Sequence, residues 1–249
     1  MRPVEITVQS GNVALPGTLV VPPQASGLVL FAHGSGSSRF SPRNRFVAEY
    51  LNQGGLGTLL FDLLTPEESA IDERTGALRF DIDLLGDRLV GVLDWLAARR
   101  EVRDLPVGLF GASTGAAAAL VAAAQRPDPV AAVVSRGGRP DLAMQSLPRV
   151  RAPTLLIVGG LDGPVIGMNQ RAAAQLRCEH QLEIVPGATH LFEEPGKLEA
   201  VARLARDWLQ RHLEMAGRDA PGLKSRSRAN RRKSAVDRAR GIDTIKHHG

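Results

Sequence analysis

The sequence has few cysteines and few aromatic residues. Its 249 residues include one cysteine, Cys178, so no internal disulfide can form. Zinc-ribbon and iron–sulfur proteins need clustered cysteine ligands, and the sequence excludes both classes. The longest run of small apolar residues, 116–124, is too short for a membrane-spanning helix, which needs about 20 residues. The chain begins with strand-like sequence and lacks the pattern of a secretory signal, which predicts a cytoplasmic protein with no membrane partner.

Outside the C-terminal end the sequence has no net positive charge. The net charge is +5, but residues 216–249 contain 10 Lys or Arg and 3 Asp, which leaves a slightly acidic body. Large apolar residues are almost absent from 217 onward, so this segment cannot bury enough surface to offset its ordering entropy. The pattern predicts a domain at 1–215 and a disordered basic tail at 216–249. Phosphate contacts by this tail would make the protein a nucleic-acid binder, which is an alternative to an enzymatic function.

Strand-like and helix-like patterns alternate within residues 1–215, which predicts an α/β fold with a mostly parallel sheet of about eight strands and helices on both faces. The first two strands, 4–8 and 13–21, form an antiparallel pair around Ser10-Gly11-Asn12. The buried strands are predicted at 28–32, 58–61, 107–110, 131–134, 154–158 and 182–185. The helices are predicted at 42–51, 84–99, 114–124, 167–176 and 198–213.

The lengths of two connections between predicted elements bear on the form of the substrate pocket. The segment 63–83 is long for a compact domain, which predicts a functional or mobile connection. The segment 135–152 is too short to hold a large lid domain. An open, shallow pocket for small or extended substrates follows from this.

Residues 111–115 read Gly-Ala-Ser-Thr-Gly, a G-x-S-x-G pattern between an apolar strand and an alanine-rich helix. In that context Ser113 lies on a sharp strand-to-helix turn, where its hydroxyl is exposed as a nucleophile. The turn crowds the positions two residues before and after the serine, and the glycines fit that space. Ser113 is therefore the candidate nucleophile.

A serine nucleophile needs a base, and the base needs a carboxylate that fixes its tautomer. His190 follows the last predicted strand and is the candidate base. Asp162, in a glycine-rich loop after the preceding strand, is the candidate carboxylate, and Asp141 is the alternative.

Acyl transfer also needs donors for the oxyanion that forms on the substrate. The backbone N–H of Thr114 is one candidate. The second comes from the loop His33-Gly34-Ser35-Gly36, with Ser35 preferred over Gly36. The chemistry requires no metal and no organic cofactor.

At these residues the sequence resembles the α/β-hydrolase superfamily, and within it the dienelactone-hydrolase-like branch of small enzymes without a lid. The resemblance covers residues 1–215 and includes the chain order Ser113, Asp162, His190. The segments 33–39 and 41–45 are similar to those of a bacterial subgroup that is sometimes fused to a phosphoribosyltransferase domain. Dienelactone hydrolases proper have cysteine at the nucleophile position, so the resemblance does not extend to their named reaction.

The sequence thus predicts a bacterial serine hydrolase that cleaves a small ester or thioester through an acyl-enzyme. An acyltransferase or a perhydrolase would use the same site with a different acceptor, and the oligomeric state is left open. Arg39, Arg136 and Arg139 are candidate substrate-binding residues, because they lie in loops or at strand ends near the predicted site, where they could attract an anionic ester together with Arg43 and Arg45.

Overall fold

The computed structural model describes residues 2–219. The strands are β1 (Val4–Ser10), β2 (Val13–Val20), β3 (Leu28–Ala32), β4 (Gly57–Phe61), β5 (Val107–Ala112), β6 (Val130–Arg136), β7 (Thr154–Gly159) and β8 (His180–Val185). The α-helices are α1 (Pro42–Gln53), α2 (Pro66–Thr75), α3 (Ile82–Ala97), α4 (Thr114–Gln125), α5 (Gly163–Ala173) and α6 (Lys197–Asp219).

The eight strands form one sheet in the order β1-β2-β4-β3-β5-β6-β7-β8. The pairs β1–β2 and β2–β4 are antiparallel, and all later pairs are parallel. The carboxyl ends of β3 to β8 therefore meet at one edge, where ligands bind in sheets of this kind. The predicted fold class is confirmed.

Helices cover both faces of the sheet because the side chains of its strands alternate between two apolar layers. In β5, Leu109 packs in the layer under α3, α4 and α5, whereas Phe110 packs in the layer under α1 and α6. The ring of Phe110 lies 4.8 Å from that of Phe31 in the neighbouring strand. Burial on both faces explains why these strands read as continuous apolar runs.

The connection after β4 is ordered into α2 and a short 3₁₀ helix, Leu78–Phe80. Thr65 and Glu68 form a capping box at the start of α2, and Pro66 occupies its first turn. The helix is polar all round, so apolar periodicity could not reveal it, although the Thr-Pro-Glu-Glu signature was present. Similarly, α5 begins at Gly163, before the predicted 167, because Pro164 is tolerated in a first helical turn.

The connection between β6 and β7 contains two short 3₁₀ helices, Pro140–Ala143 and Leu147–Arg149, and no lid domain, as predicted. Helix α6 runs to Asp219, so the first residues of the predicted tail are helical. The rest of that tail, 220–249, lies outside the described residues. Within residues 2–219, no helix combines the length and the apolar character needed to cross a bilayer.

Candidate active site

Ser113 lies between the last residue of β5 and the first of α4, with φ 51° and ψ −120°. This backbone conformation is rare for residues other than glycine and costs about 1–3 kcal/mol, which the surrounding structure must offset. The serine is held on both sides, because its N–H donates to the Arg136 carbonyl at 3.2 Å and its own carbonyl accepts from the Arg139 N–H at 3.1 Å.

The two glycines of the motif are required by close backbone contacts. A Cβ atom on Gly111 would lie 2.4 Å from the Ala116 Cα atom, and one on Gly115 would lie 2.3 Å from the Ala32 carbonyl oxygen. Neither backbone atom can move without disturbing β3 or α4. The sharp turn that presents Ser113 thus depends on both glycines.

His190 and Asp162 come from the loops after β8 and β7. The Nδ1 atom of His190 lies 2.7 Å from Oδ2 of Asp162, and the carboxylate is more buried than the imidazole. Two backbone bonds join these loops, from Leu161 N–H to the Ala188 carbonyl and from Gly160 N–H to the Val185 carbonyl. With Nδ1 protonated and facing Asp162, Nε2 is left as the acceptor.

Asp141, the alternative carboxylate, lies elsewhere. Both of its carboxylate oxygens accept from the Arg139 guanidinium, at 2.9 and 2.8 Å. Asp162, rather than Asp141, contacts His190.

A short backbone segment at the end of β6 lies between Ser113 and His190. The carbonyl of Arg136 accepts the Ser113 N–H. The next residue, Gly137, has φ 52°, and a Cβ atom there would lie 3.4 and 3.5 Å from Cε1 and Nδ1 of the His190 ring. Ser113 and His190 therefore flank residues 136–137 at the carboxyl edge of the sheet.

The loop after β3 lies against the same turn. A Cβ atom on Gly34 would be 3.2 Å from the Ser113 Cβ atom. Ser35, Gly36 and Thr114 share the lining of a cavity of about 490 Å³. The candidate oxyanion donors thus border one cavity beside the serine.

His33 holds this loop in place, a role that was not predicted from the sequence. Its Nδ1 atom lies 3.0 Å from the Gly34 carbonyl, and its Nε2 atom accepts the Leu63 N–H at 3.1 Å. The acceptor role of Nε2 requires the proton on Nδ1, so His33 is the neutral Nδ1–H tautomer. Burial lowers its pKa, which keeps it neutral. The dipeptide His33-Gly34, directly after an apolar strand, was the sequence feature from which this role could have been predicted.

The far wall of the cavity comes from the long connection after β4. Asp72 of α2 accepts the N–H groups of Leu78 and Arg79, each at 2.9 Å, and pairs with the Arg79 guanidinium at 2.7 Å. Burial alone would raise the pKa of Asp72, but the hydrogen bonds from Arg79 and its positive charge outweigh burial and lower it. Asp72 and Arg79 line the cavity, so this connection shapes the site.

The loops around the site also expose large apolar side chains. They are Phe40 after β3, Phe80 after β4, Leu142 after β6, Leu161 after β7 and Leu191 after β8. We call this set the apolar rim. Each of these side chains is exposed in a loop that follows a strand at the carboxyl edge, where it could contact the nonpolar part of a ligand.

The three candidate substrate-binding arginines are placed differently. Arg39 pairs with Asp62 and Glu5, and Arg139 pairs with Asp141. Arg136 is buried and has no carboxylate partner among residues 2–219. Substrate binding by Arg39 or Arg139 stays a prediction and would require their ion pairs to open.

Among the described residues, no cluster of three or more His, Cys, Asp or Glu side chains has the arrangement of a metal site.

A family model described as the dienelactone hydrolase family matches residues 52–218, more than half of the chain. The chain belongs to the dienelactone hydrolase family. Family membership places it among the hydrolases.

A solved relative carries the name of the same family, whereas two curated relatives carry the name of another activity. The structure is similar to that of a dienelactone hydrolase from Anabaena variabilis, with a TM-score of 0.84 and 62% identity over 85% of this chain and 98% of that one. Two curated proteins from strains of Mycobacterium tuberculosis, both named as phosphoribosyl transferases, are 60% identical over 213 residues, which is 86% of this chain. This chain spans 47% of their length.

More distant structures share the fold. Est1E from Butyrivibrio proteoclasticus has a TM-score of 0.70 and 16% identity over 84% of this chain and 98% of its own. At that identity the likeness concerns the fold alone.

Proposed function

We propose that this family member is a serine hydrolase that cleaves a small ester or thioester through an acyl-enzyme on Ser113. The observation that carries the proposal is the 2.7 Å contact between His190 Nδ1 and Asp162 Oδ2 at the edge where Ser113 occupies its strained turn. A nucleophile, a base and a group that orients the base are the parts that acyl transfer to serine requires.

In the first half-reaction, Ser113 Oγ attacks the carbonyl carbon while its proton moves to Nε2 of His190. Asp162 stabilises the imidazolium that forms. The N–H groups of Thr114 and Ser35 donate to the oxyanion. The imidazolium then protonates the leaving alcohol or thiol as its bond to the acyl carbon breaks, and the acyl group remains on Ser113.

In the second half-reaction, His190 accepts a proton from water as the water oxygen attacks the acyl carbon. The ester bond to Ser113 then breaks, the serine regains a proton from His190, and the carboxylic acid leaves. Each half-reaction returns His190 to its neutral form, so the cycle needs no further reactant.

The form of the cavity supports a small substrate. Its volume of about 490 Å³ lies beside Ser35, Gly36 and Thr114, and α2 closes its far side. The apolar rim supports a nonpolar portion on the substrate. We expect activity on 4-nitrophenyl esters of short acyl chains, with a decline as the chain lengthens.

A fluorophosphonate probe tests the nucleophile directly. The native protein should be labelled, and Ser113→Ala should not. Ser35→Ala is the matched control, since it removes a hydroxyl beside the cavity but keeps the backbone N–H. Equal labelling of Ser113→Ala, or no labelling of the native protein, would refute the proposal.

A further inference from the structure

Arg136 is a buried cation whose charge is not neutralised by the residues around it. Its side chain is the last of β6, and the residue is 7% exposed. One hydrogen bond is formed, from Nη2 to the Asn44 Oδ1 atom at 3.4 Å, and Nε has no partner. Within residues 2–219, no carboxylate lies within ion-pair distance of this guanidinium. A buried charge without a counter-ion is unfavourable, and most such arginines are paired.

The guanidinium points at the start of α1. Ser41 caps this 12-residue helix, Pro42 occupies its first position, and Asn44 lies in its first turn. Helix N-termini carry a partial positive charge and attract anions. The first turn of α1 contains no acidic residue, so nothing in that turn offsets the charge.

Arg43 adds a second positive charge to the same place. Burial first, and then repulsion from Arg43, lower the pKa of Arg136 to about 10, so it remains charged at neutral pH. Arg43 itself pairs with Glu193 at 2.8 Å, and its buried Nε atom has no partner. Two guanidinium groups thus lie near one helix N-terminus, and within residues 2–219 Glu193, bound to Arg43, is the one carboxylate that pairs with either of them.

This cluster adjoins the catalytic residues. The backbone of Arg136 accepts the Ser113 N–H, and Gly137 contacts His190. Glu193, the partner of Arg43, follows His190 by three residues. The cluster therefore lies at the same edge of the sheet as Ser113 and His190.

We propose that Arg136, Arg43 and the first turn of α1 bind the phosphate group of a phosphate-bearing ester, so that the substrate of the proposed hydrolase is a phosphorylated ester. This inference rests on the proposed function. A phosphate monoester carries a charge of about −1.5 to −2 and three acceptor oxygens, which suits two guanidinium groups and a helix N-terminus. A carboxylate offers one charge and two oxygens, and Glu193 already supplies that to Arg43.

Arg43 becomes available to an entering anion when its ion pair with Glu193 opens. The Glu193 side chain is 62% exposed and that of Arg43 31%. Exposed pairs of this kind are weak, so an entering phosphate can replace Glu193 on Arg43. Arg136 then gains the counter-ion that it lacks.

Thermal unfolding with inorganic phosphate tests the anion site without any activity assay. At constant ionic strength set with chloride, phosphate should raise the melting temperature of the native protein, by roughly 2–4 °C at concentrations several times Kd and further with the logarithm of the concentration above that. Arg136→Met should lose this rise. Arg151→Gln is the control, because it removes an exposed arginine, paired with Asp128, from another part of the surface. Its response to phosphate should equal that of the native protein.

A rise that persists in Arg136→Met would overturn the proposal, as would an equal rise with acetate, which would assign the site to carboxylates. If Arg136→Met does not fold, Arg43→Gln replaces it, because Arg43 is partly exposed and its loss should also weaken the phosphate response.

Kinetics then separate this inference from the proposed function. Three 4-nitrophenyl esters with acyl chains of equal length, ending in a phosphonate, a carboxylate or a methyl group, are compared by kcat/KM. We expect the phosphonate ester to be preferred at least about tenfold, and this ratio to fall by a similar factor in Arg136→Met. Equal kcat/KM for all three esters would refute the phosphate subsite but leave the hydrolase intact. Hydrolysis of none of them, with no fluorophosphonate labelling, would refute the hydrolase.

Discussion

Asp162 and His190 are 28 residues apart in the chain, yet their carboxylate and imidazole lie 2.7 Å apart. Each follows a parallel strand, β7 or β8, and these strands are neighbours in the sheet. The contact favours the tautomer of His190 with its proton on Nδ1, which leaves Nε2 as an acceptor.

Asp162→Asn should lower kcat/KM by roughly 10²- to 10⁴-fold, because an amide stabilises neither the correct tautomer nor the imidazolium. Steady-state hydrolysis of a short 4-nitrophenyl ester measures the effect. Asp141→Asn is the matched control and should stay within a few-fold of the native enzyme, since Asp141 contacts Arg139 instead. Equal losses in both variants would contradict the assignment.

Ser113→Gly should abolish hydrolysis and raise the stability relative to Ser113→Ala. Glycine adopts φ 51° without the strain that a Cβ atom causes, and the strain of about 1–3 kcal/mol exceeds the entropic cost of glycine, about 0.5–1 kcal/mol. Chemical denaturation of both inactive variants gives the comparison. A less stable glycine variant would show that the turn stores no strain.

Gly115→Ala should destabilise the protein by about 1–3 kcal/mol or more, because the new methyl group would meet the Ala32 carbonyl at 2.3 Å. Gly163→Ala, at the start of α5, introduces the same methyl group into open space. Melting temperatures of the two variants should therefore differ clearly. Similar values would mean that β3 can move away from the nucleophile turn.

His33→Gln should weaken the pH dependence of stability below about pH 6.5. Burial lowers the pKa of His33 in the folded protein, so the unfolded chain binds a proton first as the pH falls. The native protein therefore loses stability from about pH 6.5 downward, through the lowered pKa. Glutamine can accept the Leu63 N–H but does not titrate. Melting curves of both proteins between about pH 4.5 and pH 8.5, two units either side of the ordinary histidine pKa, measure the difference. Parallel curves would exclude His33 as a source of acid sensitivity.

The buried parallel strands could be located from the sequence because burial on both faces makes every position apolar. Strand β3 was predicted with the observed bounds, and the start of β5 was also predicted. The end of β5 was not, because Gly111 and Ala112 belong to the nucleophile motif and carry no apolar signal. Helix α2 was missed because it is stabilised by its cap and not by an apolar face.

Some parts of the candidate site could likewise be predicted from the sequence, whereas others depend on the tertiary structure. The motif around Ser113 is local, since the strand, the serine and the glycines are adjacent in the chain. The choice between Asp162 and Asp141 was not local, and the sequence left both open. The cavity wall formed by Asp72 and Arg79 had no sequence signal, because its position depends on how α2 folds back over the loop after β3.

The sequence by itself determined the order of the strands and of every α-helix except α2, the turn at Ser113 and the loops that carry Asp162 and His190, because those features depend on apolar patterning and on residues close together in the chain. Only the tertiary structure decided which carboxylate meets His190, that Arg39 and Arg139 are paired while Arg136 is not, and that His33 holds the loop after β3. Those outcomes depend on distances between side chains from different strands, which are fixed only when the sheet assembles and both its faces are packed.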